Sequence, residues 1–171
     1  HTGDLAYLQD QRTYMKQMAE HIGSFVRDDG EDTIPHYFLD WPSSGDPIAC
    51  KIGVRALLVM ALEAAEGMLK ALGEVETAQK CQRWAQRVRS REVKTYGNKQ
   101  SAALLALAGM ADPQAINRSC LQGVQDVSTF FGFYIVKAKA LAGDMEGALD
   151  LVRRFWGGML SLGATTFWED F

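Results

Sequence analysis

Apolar residues recur along this chain at three- and four-residue steps, the spacing that gathers side chains onto one face of an α-helix. The pattern is clearest over residues 47–72, where Leu58, Ala61, Leu62, Ala65, Met68, Leu69 and Leu72 fall on one stripe. Asp46-Pro47 offers an N-cap followed by proline at the first helical position, and Gly73 offers the stop. A second helix is predicted at once, over residues 74–91, with Ala78, Cys81, Ala85 and Val88 inward and Arg83, Arg87, Arg89 and Arg91 largely outward. The short glycine link makes the two an antiparallel hairpin.

Upstream, Leu5, Leu8, Met15, Met18, Ala19 and Ile22 predict a first helix over 4–22, ending at Gly23 or running a little further to Val26. Downstream, residues 100–109 are rich in alanine and leucine, Asp112-Pro113 starts a short helix, and residues 130–142 form the next, closed by Gly143. Asp144 then caps a last helix over 145–160, with Met145, Ala148, Leu149, Val152, Phe155, Trp156 and Met159 on its buried side. The one strand-like piece is 34–41, inside a connection rich in acids, prolines and aromatics. Strands do not alternate with helices, and no tetratricopeptide or ankyrin pattern repeats. The pattern therefore predicts an all-α fold, six or seven helices paired as antiparallel hairpins in a single all-helical domain over 1–171.

Composition acts mainly by exclusion. A chain of 171 residues that is 47% hydrophobic and 23% charged, with four prolines, has the side chains for a real core and is not disordered. Net charge is −3 with the two signs mixed along the chain, so no basic patch points to nucleic acid or an anionic membrane surface. The longest stretch without a charge, 155–168, is shorter than the roughly 20 residues a membrane span needs. The chain opens on His1-Thr2-Gly3-Asp4, with no basic segment leading into an apolar one, and the absent initiator Met reads as a fragment.

Familiar catalytic signatures are missing from the pattern. His1, His21 and His36 are scattered, no Cys-x-x-Cys pair occurs, and no glycine-rich loop precedes Lys-Ser/Thr, so neither a metal nor a nucleotide cofactor is expected. Cys50, Cys81 and Cys120 read as small buried hydrophobes. The cluster Asp28-Asp29-Gly30-Glu31-Asp32 lacks the alternating ligands and distal Glu of a calcium loop and reads as a solvated turn. Two places combine tryptophan with carboxylate outside any helical stripe: Phe38-Leu39-Asp40-Trp41-Pro42, and Gly163-Ala164-Thr165-Thr166-Phe167-Trp168-Glu169-Asp170-Phe171. Carbohydrate sites use that chemistry, an indole face packing on the C–H face of a sugar while a carboxylate grips hydroxyls or moves a proton. The competing reading is structural, with loop tryptophans covering the end of a helical core. Trp156 and Phe155 on their stripe, and Trp84 beside the arginines, read as packing residues. His36 reads as a loop histidine, and Tyr96 as a core cap or a sugar contact.

Gly163-Ala164-Thr165-Thr166-Phe167-Trp168-Glu169 resembles the Gly-Ala-Thr-Thr-x-Trp-Glu signature of bacterial α-L-rhamnosidases of glycoside hydrolase family 78. Phe38-Leu39-Asp40-Trp41 is similar to that family's Asp-Trp loop, and Tyr96-Gly97-Asn98-Lys99-Gln100 to the stretch entering a glutamine-led inner helix. Ser128-Thr129-Phe130-Phe131-Gly132-Phe133-Tyr134 resembles its Thr-x-Phe-x-Gly-x-x-Tyr/Pro helix start. These matches keep the family's order and span most of the chain. The resemblance implies part of an (α/α)6 barrel, the C-terminal half or so of a larger catalytic domain. It also implies an inverting glycosidase releasing terminal α-L-rhamnose, in which two carboxyl groups stand roughly 6.5–9.5 Å apart.

Carried over by motif, Glu169 is the general base, Trp168 and Trp41 are walls of the sugar pocket, Asp40 binds sugar hydroxyls and Tyr96 contacts the sugar. The family's general acid lies in an acidic, arginine-containing segment N-terminal to the matched region, and no Asp-x-x-x-Arg-x-x-Glu pattern occurs here, so this chain alone is expected to be inactive. Asp170-Phe171 stands where many members have Arg-Trp. The implied partner is a rhamnosyl glycoside, and an opened barrel is expected to self-associate through its uncovered apolar surface. The alternative function is a non-catalytic carbohydrate-binding or interaction scaffold in which Glu169 only accepts hydrogen bonds.

Overall fold

Helix boundaries fall where short polar side chains and glycines can satisfy the ends. In the computed structural model, which describes residues 3–91, 93 and 98–169, Asp46 Oδ1 accepts the N–H groups of Ile48 (3.1 Å) and Ala49 (2.9 Å), and Gly73 closes the same helix at φ +73°. Asn98, Asp112, Ser128 and Asp144 cap later helices in the same way. The described residues form eight α-helices: α1 Leu5–Asp10, α2 Arg12–Gly23, α3 Pro47–Ala71, α4 Val75–Arg89, α5 Lys99–Leu107, α6 Pro113–Cys120, α7 Thr129–Leu141 and α8 Met145–Ser161. A 3-10 turn spans Trp41–Ser43. The fold is all-α, as the periodicity predicts, and no helix among the described residues is long and apolar enough to cross a membrane.

Four local expectations are corrected. The first helix is two, because the chain leaves helical geometry at Gln11 (φ −86°, ψ 2°); α1 buries no residue, and Leu5 is 64% exposed, so no packing holds it in line with α2. Residues 34–40 join no ladder and Trp41 opens the 3-10 turn, since a strand needs a partner and the described residues hold only the isolated bridge Val26–Asp32. Ala61 is exposed although its stripe neighbours Leu58, Leu62, Ala65 and Leu69 are buried. Along α8 the residues Ala148, Leu151, Phe155 and Met159 are buried, whereas Met145 (57%), Leu149 (50%) and Val152 are exposed: the apolar stripe is wider than the face that is covered.

The chain divides into two compact units, His1–Pro35 with Leu57–Glu92, and His36–Ala56 with Val93–Phe171. In the first, α2 packs on α4, and the acidic turn is not merely solvated. Asp28 pairs with Arg87 (3.0 Å), Glu31 with Arg91 (2.5 Å), and Asp32 is buried. Ala78, Cys81, Ala85 and Val88 face inward there as predicted.

In the second unit, α5 is buried continuously from Gln100 to Ala106 and lies against α6 and α7, with α8 packed on α7. A helix that is apolar all round belongs inside. Ala102, Ala103 and Ala106 form one core with Ile135, Ala138, Leu151, Phe155 and Met159. One polar knot ties three helices: the Asp144 carboxylate caps α8 at Gly147 N–H (2.8 Å) and accepts from Asn117 Nδ2 (2.9 Å) and Lys139 Nζ (3.1 Å). The Asn117 amide first, then the Gly147 N–H and Lys139, hold the Asp144 pKa down at about 2.

A carboxyl depressed in this way contributes stability above its unfolded value of 3.8 and loses it as pH falls through about 2. Asp144→Ala should therefore lower unfolding free energy by about 2–4 kcal/mol at pH 7, through the lost cap and the stranded Lys139. The gap to the unaltered protein should narrow as pH drops from about 4 toward about 2. Urea unfolding at stepped pH checks both; a gap that stays constant with pH contradicts the assignment.

Candidate functional site

Ser-Thr ahead of an apolar run is an N-cap sequence, and at residues 128–129 it does more than cap. Ser128 sits in extended geometry (φ −91°, ψ 160°), and its hydroxyl accepts the Phe131 N–H at 3.1 Å. The same hydroxyl donates to Asp40 Oδ2 at 2.6 Å, with both residues buried. Thr129 N–H donates to the Glu169 carbonyl at 3.0 Å, and the Thr129 hydroxyl donates to the Trp168 carbonyl. Both tryptophan–carboxylate loops thus meet at the first turn of α7, one from 88 positions away and the other from 39.

The Asp40 loop is built by its own serines. The N–H and hydroxyl of Ser43 both donate to the Asp40 carbonyl (3.1 and 2.9 Å), and those of Ser44 to the Trp41 carbonyl (3.1 and 2.7 Å). Cys50 Sγ donates to the Ser43 carbonyl at 3.2 Å. Leu39 anchors the loop against α3 at Gly53, where a Cβ would stand 2.3 Å from its methyl and would force that side chain to shift. The result is a buried Asp40 carboxylate next to an indole that is 65% exposed, Trp41, which meets Phe38 edge-on at 5.1 Å.

After α8, Ala164 N–H bonds to the Met159 carbonyl at 3.0 Å and turns the chain back. Ala164 and Trp168 are half-buried against the core of this unit, while the Glu169 side chain is exposed and Phe167 is 77% exposed. Trp156 lies against α7 at Gly132, where a Cβ would stand 2.6 Å from the indole. Trp156 and Phe167 line two apolar hollows: one of about 370 Å³ with Thr165 and Thr166, the other of about 480 Å³ with Thr129 and Phe133.

The segment leading into Ser128 is pinned from α5. Gln100 Nε2 donates to the Asp126 carbonyl (2.6 Å), and Lys99 Nζ donates to the carbonyls of Gly123 (3.2 Å) and Gln125 (2.6 Å). Burial pushes the Lys99 pKa below the usual lysine value. Of the residues expected at the site, Asp40, Trp168 and Glu169 converge on Ser128–Thr129, and Trp41 adjoins Asp40. Tyr96 lies outside the described residues. In the sequence Ser128 and Thr129 stand out only as a helix start, and the signal that points to them is the cap pattern itself. Among the described residues no group of His, Cys, Asp or Glu is placed to hold a metal ion.

Neither a family model nor a curated protein matches the sequence. Among solved structures, a rhamnosidase of glycoside hydrolase family 78 from Bacillus sp. GL1 aligns with 99% of this chain at TM-score 0.79 and 22% identity. A rhamnosidase from Klebsiella oxytoca with rhamnose bound aligns with 98% of it at TM-score 0.78 and 19% identity. The chain spans 21% and 37% of the lengths of these two proteins. It therefore has the helical fold of the matching parts of those rhamnosidases.

Removing the Ser128 hydroxyl takes away a cap and leaves a buried carboxylate oxygen without its donor. Ser128→Ala should cost about 1–3 kcal/mol in chemical unfolding, and Ser128→Thr, which keeps the hydroxyl, less than half of that. Equal losses in the two variants would show that the hydroxyl is not what holds Asp40.

Proposed function

We propose that the complete protein is an α-L-rhamnosidase-like glycoside hydrolase acting with inversion on terminal α-L-rhamnose, and that this chain supplies one side of its active site, as the second half or so of an (α/α)6 barrel. The observation that carries the reading is the convergence of the Asp40-Trp41 and Trp168-Glu169 loops on one helix start. The fold shared with two rhamnosidases, one of them with rhamnose bound, supports it.

In this reading a carboxylic acid outside the chain protonates the glycosidic oxygen as the bond from that oxygen to the anomeric carbon breaks. Glu169 takes a proton from a water whose oxygen attacks the opposite face of the anomeric carbon. An exposed carboxylate suits that role, because the water has to reach it. Trp168 and Trp41 form walls against the C–H faces of the sugar, Asp40 orients hydroxyls and Tyr96 adds a contact. The exposed apolar surface of α7 and α8, with Phe130, Phe133, Leu149 and Phe167, supports self-association of the isolated chain.

A second reading has two observations in its favour: Asp40 Oδ2 is already held by Ser128, and Trp168 leans on the core, as in a scaffold that binds carbohydrate without cleaving it.

Hydrolysis of an aryl α-L-rhamnoside by the complete protein, beside Glu169→Gln matched for folding, separates the two. Loss of the base should reduce the rate roughly 10²–10⁴-fold. Rhamnose binding with no hydrolysis across several aryl glycosides would favour the scaffold. For the isolated chain, light scattering should give a mass of a dimer or larger; a monodisperse monomer would count against the open-barrel reading.

A further inference from the structure

The carboxylate proposed as the base is exposed, so side-chain packing does not place it, and the hold the structure shows is on its main chain, from Thr129 of another element. Thr129 binds two successive carbonyls: its hydroxyl donates to that of Trp168, and its N–H donates to that of Glu169 at 3.0 Å. Two bonds to neighbouring peptide units fix both where the segment lies and how it is turned. The N–H is one of those that the helix cannot satisfy internally, so the Glu169 carbonyl also completes the start of α7. The helix behind it is anchored by buried Phe131, Gly132 and Ile135.

We propose that Thr129 is a positioning residue for Glu169, acting through the main chain of Trp168-Glu169, and that with Ser128 it makes the first turn of α7 the part that sets the two tryptophan loops against each other. This rests on the reading of Glu169 as the base. The Ser128 hydroxyl points to the carboxylate of one loop and Thr129 to the backbone of the other, so their spacing across the site is fixed by adjacent residues of one rigid helix turn. A general base works only within hydrogen-bond reach of its water, and a misplacement of about 1 Å costs on the order of 10²-fold in rate. The Thr129 hydroxyl touches no substrate in this scheme. Its removal should therefore leave binding largely intact and slow the chemical step.

The test compares Thr129→Val, which keeps the shape and loses the hydroxyl, with Thr129→Ser, which keeps the hydroxyl and loses the methyl. Both are made in the complete protein, assayed on an aryl α-L-rhamnoside, with Glu169→Gln as control. Thr129→Val should lower kcat about 10–100-fold with KM changed less than about threefold and the thermal midpoint nearly unmoved, and Thr129→Ser should restore kcat to within about threefold of the parent. If the valine variant does not fold, Thr129→Ala carries the same comparison against serine. Full kcat in Thr129→Val while Glu169→Gln is inactive overturns this inference alone. So does a serine variant as impaired as valine, which would put the effect in the methyl. Full activity in Glu169→Gln overturns the reading of Glu169 as base and the inference with it.

Discussion

An α-helix begins with N–H groups that its own turns cannot satisfy, and in α7 the residues that satisfy them or flank them are also those that hold both tryptophan loops. Ser128 closes the turn onto itself through Phe131 and reaches outward to Asp40; Thr129 takes the Glu169 carbonyl on its N–H and the Trp168 carbonyl on its hydroxyl. Each such bond contributes about 1 kcal/mol net, too little to organise a loop alone. Their effect comes from sharing one anchor. Because successive residues of a helix are turned by about 100°, starting α7 one position earlier or later would swing both hydroxyls away and release both loops together.

That start is held from behind as well. Gln100 and Lys99, at the head of the buried helix α5, bind the carbonyls of the 123–126 segment, and Asp126 takes a left-handed backbone (φ 57°) that brings the chain round to Ser128. At the far end of α7, Lys139 enters the knot with Asn117 and Asp144. Between these two polar ends, alanines on α5 and Gly132 on α7 let neighbouring helices approach closely. The helix that carries the site is therefore fixed in register by hydrogen bonds and in distance by small side chains.

Much of this was legible in the sequence, where the information is local. Asp46-Pro47, Asp112-Pro113 and Asp144 announce helix starts because capping needs only a side chain and the next few N–H groups. The break at Gln11, the arginine partners of Asp28 and Glu31, and the uncovered edge of α8 depend on what lies opposite, which a period of 3.6 does not encode. The candidate site shows the same division. Its tryptophans and carboxylates stand out by type and by being off the helical stripes, whereas nothing near Ser128 or Thr129 reveals that their second bonds go to residues 88 and 39 positions away.

The two tryptophans of the candidate site differ in a way that bears on the proposed grip on a sugar. Trp168 is half-buried against the core of its unit, with its carbonyl tied to Thr129, so its ring is packed before any ligand arrives. Trp41 is held through its carbonyl by Ser44 and by the edge of Phe38, and most of its ring faces solvent. Leaning on the core does not by itself make Trp168 a mere seal. A wall of a binding site has to present a fixed face, and the cheapest way to fix one face of an indole is to pack the other. Glu169 follows Trp168 directly and inherits that order through the peptide bond between them. The packing that the structural reading takes as a sealed core end is thus the same packing that a positioned base would need.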